Sequence, residues 1–250
     1  MPFVELPTGV TLYYDDLGEG EAVIALHGWM GSARAHLGWI MDWLAADYRV
    51  IGPTRRGYGE SRPRPRQYPP DHYERDARDV LALMDALGIT RAHLLGYSDG
   101  GEAALLAAGY APERFLSVAV WGAVGYFGPE MRPVIQRMYP ADYITEEEMA
   151  RNGIADANAF ALGWITAAKS ILDRGGDLSL SLAPKITCPL MLMLGTEDSL
   201  NPEAYGQKFV DQAPNAQLVM FQCGHAIHDL LPDQFQRVLG AFLERAGARR

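Results

Sequence analysis

The sequence predicts an α/β protein: a mostly parallel, twisted sheet of about eight strands flanked by helices and interrupted by one helical insertion. Three observations carry this. Short apolar runs alternate with longer segments of helical periodicity. Glycine-rich turns follow two of those runs directly, H-G-W-M-G from His27 and G-Y-S-D-G-G from Gly96. With 250 residues, 48% of them hydrophobic, the chain can bury one sizeable core, and α/β chains of this length are commonly one domain.

In chain order, Val4–Leu6 and Val10–Asp15, joined by P-T-G, read as an antiparallel hairpin. Ala22–Leu26, Arg49–Gly52, Ala92–Gly96, Leu116–Trp121, Leu190–Leu194 and Gln217–Phe221 read as six buried parallel strands. Tyr73–Leu87 carries Ala77, Val80, Leu81, Met84 and Leu87 on one helical face and charges on the other. Phe235, Val238, Leu239, Phe242 and Leu243 make a similar stripe near the C-terminus. Both stripes are core-forming, not cofactor contacts.

From about Gly125 to Ala183 the rhythm breaks. Helix-like pieces at Glu130–Met138, Glu146–Asn152 and Asn158–Asp173 replace it, with Tyr126, Phe127, Met131, Met138, Tyr139, Tyr143, Phe160 and Trp164 among them. An insertion this long is normally functional. Residues 1–124 and 184–250 are expected to form the core, and 125–183 a helical cap. Its aromatics either line a pocket over the site or bury the cap against the body.

A net charge of −9 argues against a nucleic-acid partner. Arg55, Arg56, Arg62, Arg64 and Arg66 are interleaved with prolines and read as a stiff, solvated loop rather than a phosphate site. There is no apolar stretch of membrane-spanning length and no signal-like character at Met1–Leu6, so a soluble, cytoplasmic protein without a membrane partner is expected. The two cysteines, Cys188 and Cys223, fall at opposite ends of neighbouring strands and are expected to be free thiols. No His/Cys spacing resembles a metal site, and no cofactor is called for. Nothing in the sequence fixes the oligomeric state.

Ser98 is the strongest candidate for chemistry. It sits in Gly-x-Ser-x-Gly between a strand and a small-residue helix, a turn that pushes its hydroxyl into a cleft. A serine hydroxyl needs an imidazole to remove its proton, and the imidazole needs a carboxylate to fix its tautomer. Asp198, at the end of G-T-E-D after the Leu190–Leu194 run, and His225, in Q-C-G-H after the next run, fall at the same sheet edge. Glu197 is the rival acid, and His228 is read as structural. His27, His36, His72 and His93 precede the serine, out of order for the base. The backbone N–H groups of Trp29 and Asp99 are the expected oxyanion-hole donors.

The motifs H-G-W-M-G-S, R-R-G-Y-G-E-S, G-Y-S-D-G-G, G-T-E-D and C-G-H together resemble the α/β-hydrolase superfamily over nearly the whole chain. Thr54 departs from the Asp usual two residues before R-G, which affects a loop and not the three candidate residues. G-Y-S-D-G-G with V-W-G-A is similar to the group containing valacyclovir hydrolase. That resemblance implies a serine hydrolase acting on small-molecule carboxylic esters, with the Asp99 side chain binding the ammonium of α-amino-acid esters. A carboxylate at a helix N-terminus is also favoured by the dipole alone. The same three residues would serve a lactonase, an amidase, a C–C hydrolase or a cofactor-free perhydrolase, and a non-catalytic ligand-binding module is a further reading.

Overall fold

A computed structural model describes residues 2–247. Its strands are β1 (Phe3–Leu6), β2 (Val10–Leu17), β3 (Ala22–Leu26), β4 (Arg49–Pro53), β5 (Ala92–Tyr97), β6 (Phe115–Trp121), β7 (Leu190–Gly195) and β8 (Ala216–Phe221). They form one sheet in the order β1-β2-β4-β3-β5-β6-β7-β8. β1 and β2 are the expected hairpin, closing at Leu6 opposite Val10. β2 pairs antiparallel with β4, and the remaining neighbours are parallel.

Period-two alternation sorts the strand residues between two cores. Val23, Ala25, Leu95, Ala119 and Met191 pack with α1 (Ala33–Leu44) and the C-terminal helix α8 (Pro232–Gly247). Ile24, Leu26, Leu94, Val118 and Leu192 face α2 (His72–Ala86), α3 (Asp99–Tyr110) and α7 (Glu203–Val210). β8 departs from expectation. Among the described residues it pairs only with β7, and most of its residues are half-buried, because an edge strand lacks a second neighbour.

The charged side of α2 also differs from a solvated face. Asp76 and Asp79 are buried. Their partners come from the arginine-rich loop, which is not simply solvated either. Arg66 makes a fork of hydrogen bonds to both oxygens of Asp76 (2.6 and 2.7 Å), and Arg55 donates to Asp76 at 2.7 Å. Arg56 pairs with both oxygens of Asp79 at 2.8 Å. Burial of an arginine is tolerated when a carboxylate meets its planar donor fork. Arg62 and Arg64 remain exposed, with donors on the loop carbonyls of Glu60 (2.6 Å) and Gly59 (2.9 Å).

Between β6 and β7 lie α4 (Met131–Gln136), α5 (Glu146–Asn152) and α6 (Ala157–Asp173). Phe127 and Met131 are buried in the main core, whereas Tyr139 and Tyr143 are about half exposed (48% and 50%), so burial accounts for only some of the aromatics. The two connections to this segment meet each other. Phe127 N–H donates to the Gly176 carbonyl (2.7 Å), and Ser179 N–H donates to the Gly125 carbonyl (2.9 Å). Under them, the buried Glu102 carboxylate accepts from the N–H groups of Val124 and Gly125, each at 3.0 Å.

Burial pushes the Glu102 carboxyl up from 4.5 to about 7, although the two N–H donors oppose the shift. A raised carboxyl stabilises the fold fully below its unfolded value and loses that contribution as pH climbs through the folded value. Relative to Glu102→Gln, wild-type unfolding free energy should therefore fall by on the order of 3 kcal/mol between mildly acidic and mildly alkaline pH. Urea unfolding of both proteins across that range checks it; a pH-independent offset contradicts it.

Candidate active site

The carboxyl ends of β3, β5, β7 and β8 carry the candidate residues to one edge of the sheet. Ser98 sits between β5 and α3 with φ 52° and ψ −124°, a conformation rare for a residue with a side chain. Close backbone approach enforces it. A Cβ on Gly96 would stand 2.6 Å from the Gly100 carbonyl, and one on Gly100 would stand 2.4 Å from the carbonyls of Leu26 and His27. Only glycine allows the strand, the turn and the helix to close around the serine.

Three separate stretches then meet in a row. His225 Nε2 accepts from the Ser98 hydroxyl at 2.9 Å, and His225 Nδ1–H donates to Asp198 at 2.7 Å. Glu197, the rival acid, is exposed, whereas Asp198 is buried. Burial alone would raise the Asp198 carboxyl. Hydrogen bonds from His225, Asn201 (2.9 Å) and the Leu200 N–H (3.0 Å) outweigh it and hold the group below its ordinary value. That keeps a carboxylate facing the imidazole.

The other histidines have structural partners. His228 accepts from the Trp121 indole N–H (3.1 Å) and donates to the His36 carbonyl (3.1 Å). His93 lies at the opposite end of β5, against Ser117 Oγ at 2.7 Å. His27 ties the loop after β3 in place: its Nδ1–H donates to the Gly28 carbonyl (2.8 Å) while Nε2 accepts the Arg55 N–H (2.8 Å). Burial and the adjacent Arg55 lower its pKa well below the usual range, so it is a neutral strut.

Trp29 and Asp99 follow the β3 and β5 turns, and neither backbone N–H takes part in the turn and loop hydrogen bonds of the described residues. The Trp29 ring is packed by the inserted helices: Phe160 stacks on it at 5.9 Å and Trp164 lies at 5.7 Å. Its indole N–H donates to Tyr68 Oη at 2.6 Å. Beyond these rings a groove of about 670 Å³ runs between the arginine-rich loop and α6, lined by Pro65, Tyr68, Pro69, Ile154, Phe160 and Gly163.

Three positions escape the sequence reading. Asn201 lies three residues past Asp198 and donates to it. Asn152, at the end of α5, is fully buried and donates to the Met30 carbonyl (2.8 Å) while accepting the Gly59 N–H (2.9 Å). Gly122, at φ 62°, lies against the imidazole of His225, where a Cβ would come within 2.7 Å of Cε1. Only V-W-G-A, whose glycine directly follows the β6 strand, hinted at the last.

A model of the alpha/beta hydrolase fold family matches residues 21–160, more than half of the chain. The chain belongs to the α/β-hydrolase family. Among its relatives in that family, the serine hydrolase BPHL of Mus musculus is 30% identical over 246 residues, covering 94% of this chain and 84% of the relative. A 2-hydroxy-6-oxo-6-phenylhexa-2,4-dienoate hydrolase of Burkholderia cepacia is 32% identical over 93% of this chain and 91% of its own length. The solved structure of a meta-cleavage product hydrolase from Pseudomonas fluorescens IP01 superposes with a TM-score of 0.76 at 26% identity, covering 98% of both chains.

Gly122→Ala should displace the imidazole without touching Ser98 or Asp198. Misplacement on the scale of 1 Å can cost about a hundredfold in rate. In the folded variant the second-order rate of fluorophosphonate labelling at Ser98 should fall by about that factor, alongside the loss of thermal stability expected for alanine at a positive φ; an unchanged rate would show that the ring has room to spare.

Proposed function

We propose that this α/β hydrolase is a serine hydrolase that cleaves small carboxylic esters. The observation that carries the reading is the continuous row from Ser98 through His225 to Asp198, at 2.9 and 2.7 Å. In the proposed mechanism Ser98 Oγ attacks the ester carbonyl carbon as its proton passes to His225 Nε2. Asp198 stabilises the resulting imidazolium, and the N–H groups of Trp29 and Asp99 hold the oxyanion. His225 returns the proton to the leaving alkoxide as the C–O bond breaks. Water then attacks the acyl-enzyme, giving its proton to His225, and Ser98 recovers a proton as the acid departs.

The reading assigns the segment 125–183 to a cap, because its Phe160 and Trp164 close over Trp29. The groove beside Tyr68 and Phe160 is the proposed approach for substrate. Asp99 is proposed to read the acyl group through its side chain; the α-amino-acid esters implied by the resemblance are one class with a substituent able to reach it. The expectation of a cytoplasmic enzyme without a cofactor goes with this reading. Carbon–carbon hydrolysis is the second reading, favoured by the dienoate hydrolase among the relatives.

Stoichiometric fluorophosphonate labelling of wild type, absent in Ser98→Ala, together with turnover of small esters, is expected. Labelling without ester turnover, but with cleavage of a dienoate substrate, would favour the second reading; no labelling would leave a binding module. Asp99→Asn should lower kcat/KM for alanyl esters about tenfold more than for propanoyl esters, since a hydrogen bond to a charged group is worth about 1.5–3 kcal/mol. Equal losses on both would remove the side chain from substrate recognition.

A further inference from the structure

Beside the proposed nucleophile, two buried polar atoms of opposite character have no hydrogen-bond partner among the described residues: Asp99 Oδ2, an acceptor, and Arg55 Nη2, a donor. They stand 4.0 Å apart. The rest of each side chain is engaged. Asp99 Oδ1 accepts from the Tyr73 hydroxyl (2.7 Å) and the Trp164 indole N–H (3.3 Å). Arg55 donates through Nε to the His27 carbonyl (2.8 Å) and through Nη1 to Asp76 (2.7 Å). Both residues are almost fully buried, at 4% and 3% exposure, so leaving the two atoms unsatisfied is costly.

The charges around them already balance. Arg55 and Arg66 face Asp76 and Asp99, two cations against two carboxylates, all buried. Both guanidinium groups lie over the Tyr58 ring, at 5.3 and 5.5 Å. His72 adds no charge near neutrality, because burial, helped by Arg66, lowers it to about 4. Tyr58, Tyr68 and Tyr73 are pushed up by burial and stay neutral, and Glu102, one turn along α3 and raised by burial to about 7, is mostly protonated at mildly acidic pH.

We propose that Arg55 and Asp99 form one subsite for a neutral hydroxyl on the acyl group, and that 2-hydroxy-acid esters are the substrate class it selects. This inference rests on the ester-hydrolase reading and specifies its acyl group. Neither atom is open to solvent, so binding requires the covering side chains to shift; a hydroxyl oxygen admitted to about 2.9 Å from each can accept from Arg55 Nη2–H and donate to Asp99 Oδ2 at once. An ammonium group can satisfy only Asp99. It has no lone pair for Arg55, and it adds an uncompensated cation beside a guanidinium in a buried site. A plain alkyl acyl group satisfies neither atom. Arg55 is thus a specificity-determining residue, turning the carboxylate after the nucleophile from a cation site into half of a donor–acceptor pair.

The test uses lactoyl, alanyl and propanoyl esters of one alcohol, assayed with the wild-type enzyme at about pH 6, where the α-amino group is protonated. Each kcat/KM is divided by the hydroxide-catalysed rate of the same ester to remove intrinsic reactivity. The lactoyl ester should exceed both others by about tenfold, and Arg55→Gln should cut the lactoyl-to-alanyl ratio by about the same factor. An alanyl preference in the wild type overturns the proposal, as does a lactoyl ester no better than the propanoyl one. The wild-type ranking decides alone if Arg55→Gln fails to fold. Propanoyl ester turnover with Ser98 labelling in those cases leaves the ester-hydrolase reading standing; no turnover of any ester brings down both.

Discussion

The buried guanidinium of Arg55 is the interaction on which the site's surroundings depend. It reaches three separate parts of the chain: the backbone of His27 after β3, Asp76 on α2, and the neighbourhood of Asp99 at the start of α3. Its own N–H fixes the His27 imidazole as well. A buried charge bonded on several sides costs several kcal/mol if any one partner is removed, because the remaining groups cannot be rehydrated. The loop carrying Trp29 and the helix carrying Asp99 are therefore coupled through an element that contains neither.

This coupling complements a different constraint at the turn between β5 and α3. There the position of Ser98 is set by backbone sterics, with glycines at 96 and 100 letting β5 and α3 close against the β3 carbonyls. Steric closure fixes the path of a turn but says nothing about charge. The arginine–carboxylate network does the reverse: it sets the electrostatic balance around Asp99 and tolerates small displacements along flexible side chains. Placing both beside one residue gives a hydroxyl with a defined direction in a surrounding of defined charge.

Much of this was legible from the sequence, and the reason is locality. Strands β3 to β7 are short apolar runs bounded by turn residues, so their ends fall within a residue of the reading. Ser98, Asp198 and His225 each follow such a run directly, and topology then brings them together. The misreadings are all non-local. Arg55 and Arg66 look solvated in a proline-rich loop until α2 supplies Asp76. Asp76 and Asp79 look like an exposed face until the loop supplies the arginines. β8 looks buried because its composition does not reveal that it is an edge strand among the described residues. Asn152, which bridges the Met30 loop and Gly59, sits 122 residues from one partner and 93 from the other.

The same non-locality bears on how far the resemblance at Asp99 can be carried. An acidic residue after Ser98 is a local feature, and a motif transfers it intact. What that carboxylate can bind depends on the net charge of the groups buried with it, and those arrive from α2, the arginine-rich loop and the inserted helix α6. A carboxylate with only hydroxyl and indole donors around it would carry an uncompensated negative charge and attract a cation. With a guanidinium 4.0 Å away, part of that field is already cancelled, and the proposed ligand gains most from a hydrogen-bonding geometry that serves both groups. On the proposed reading, selectivity at this position is a property of the assembled cluster, in which Arg55 weighs as much as Asp99.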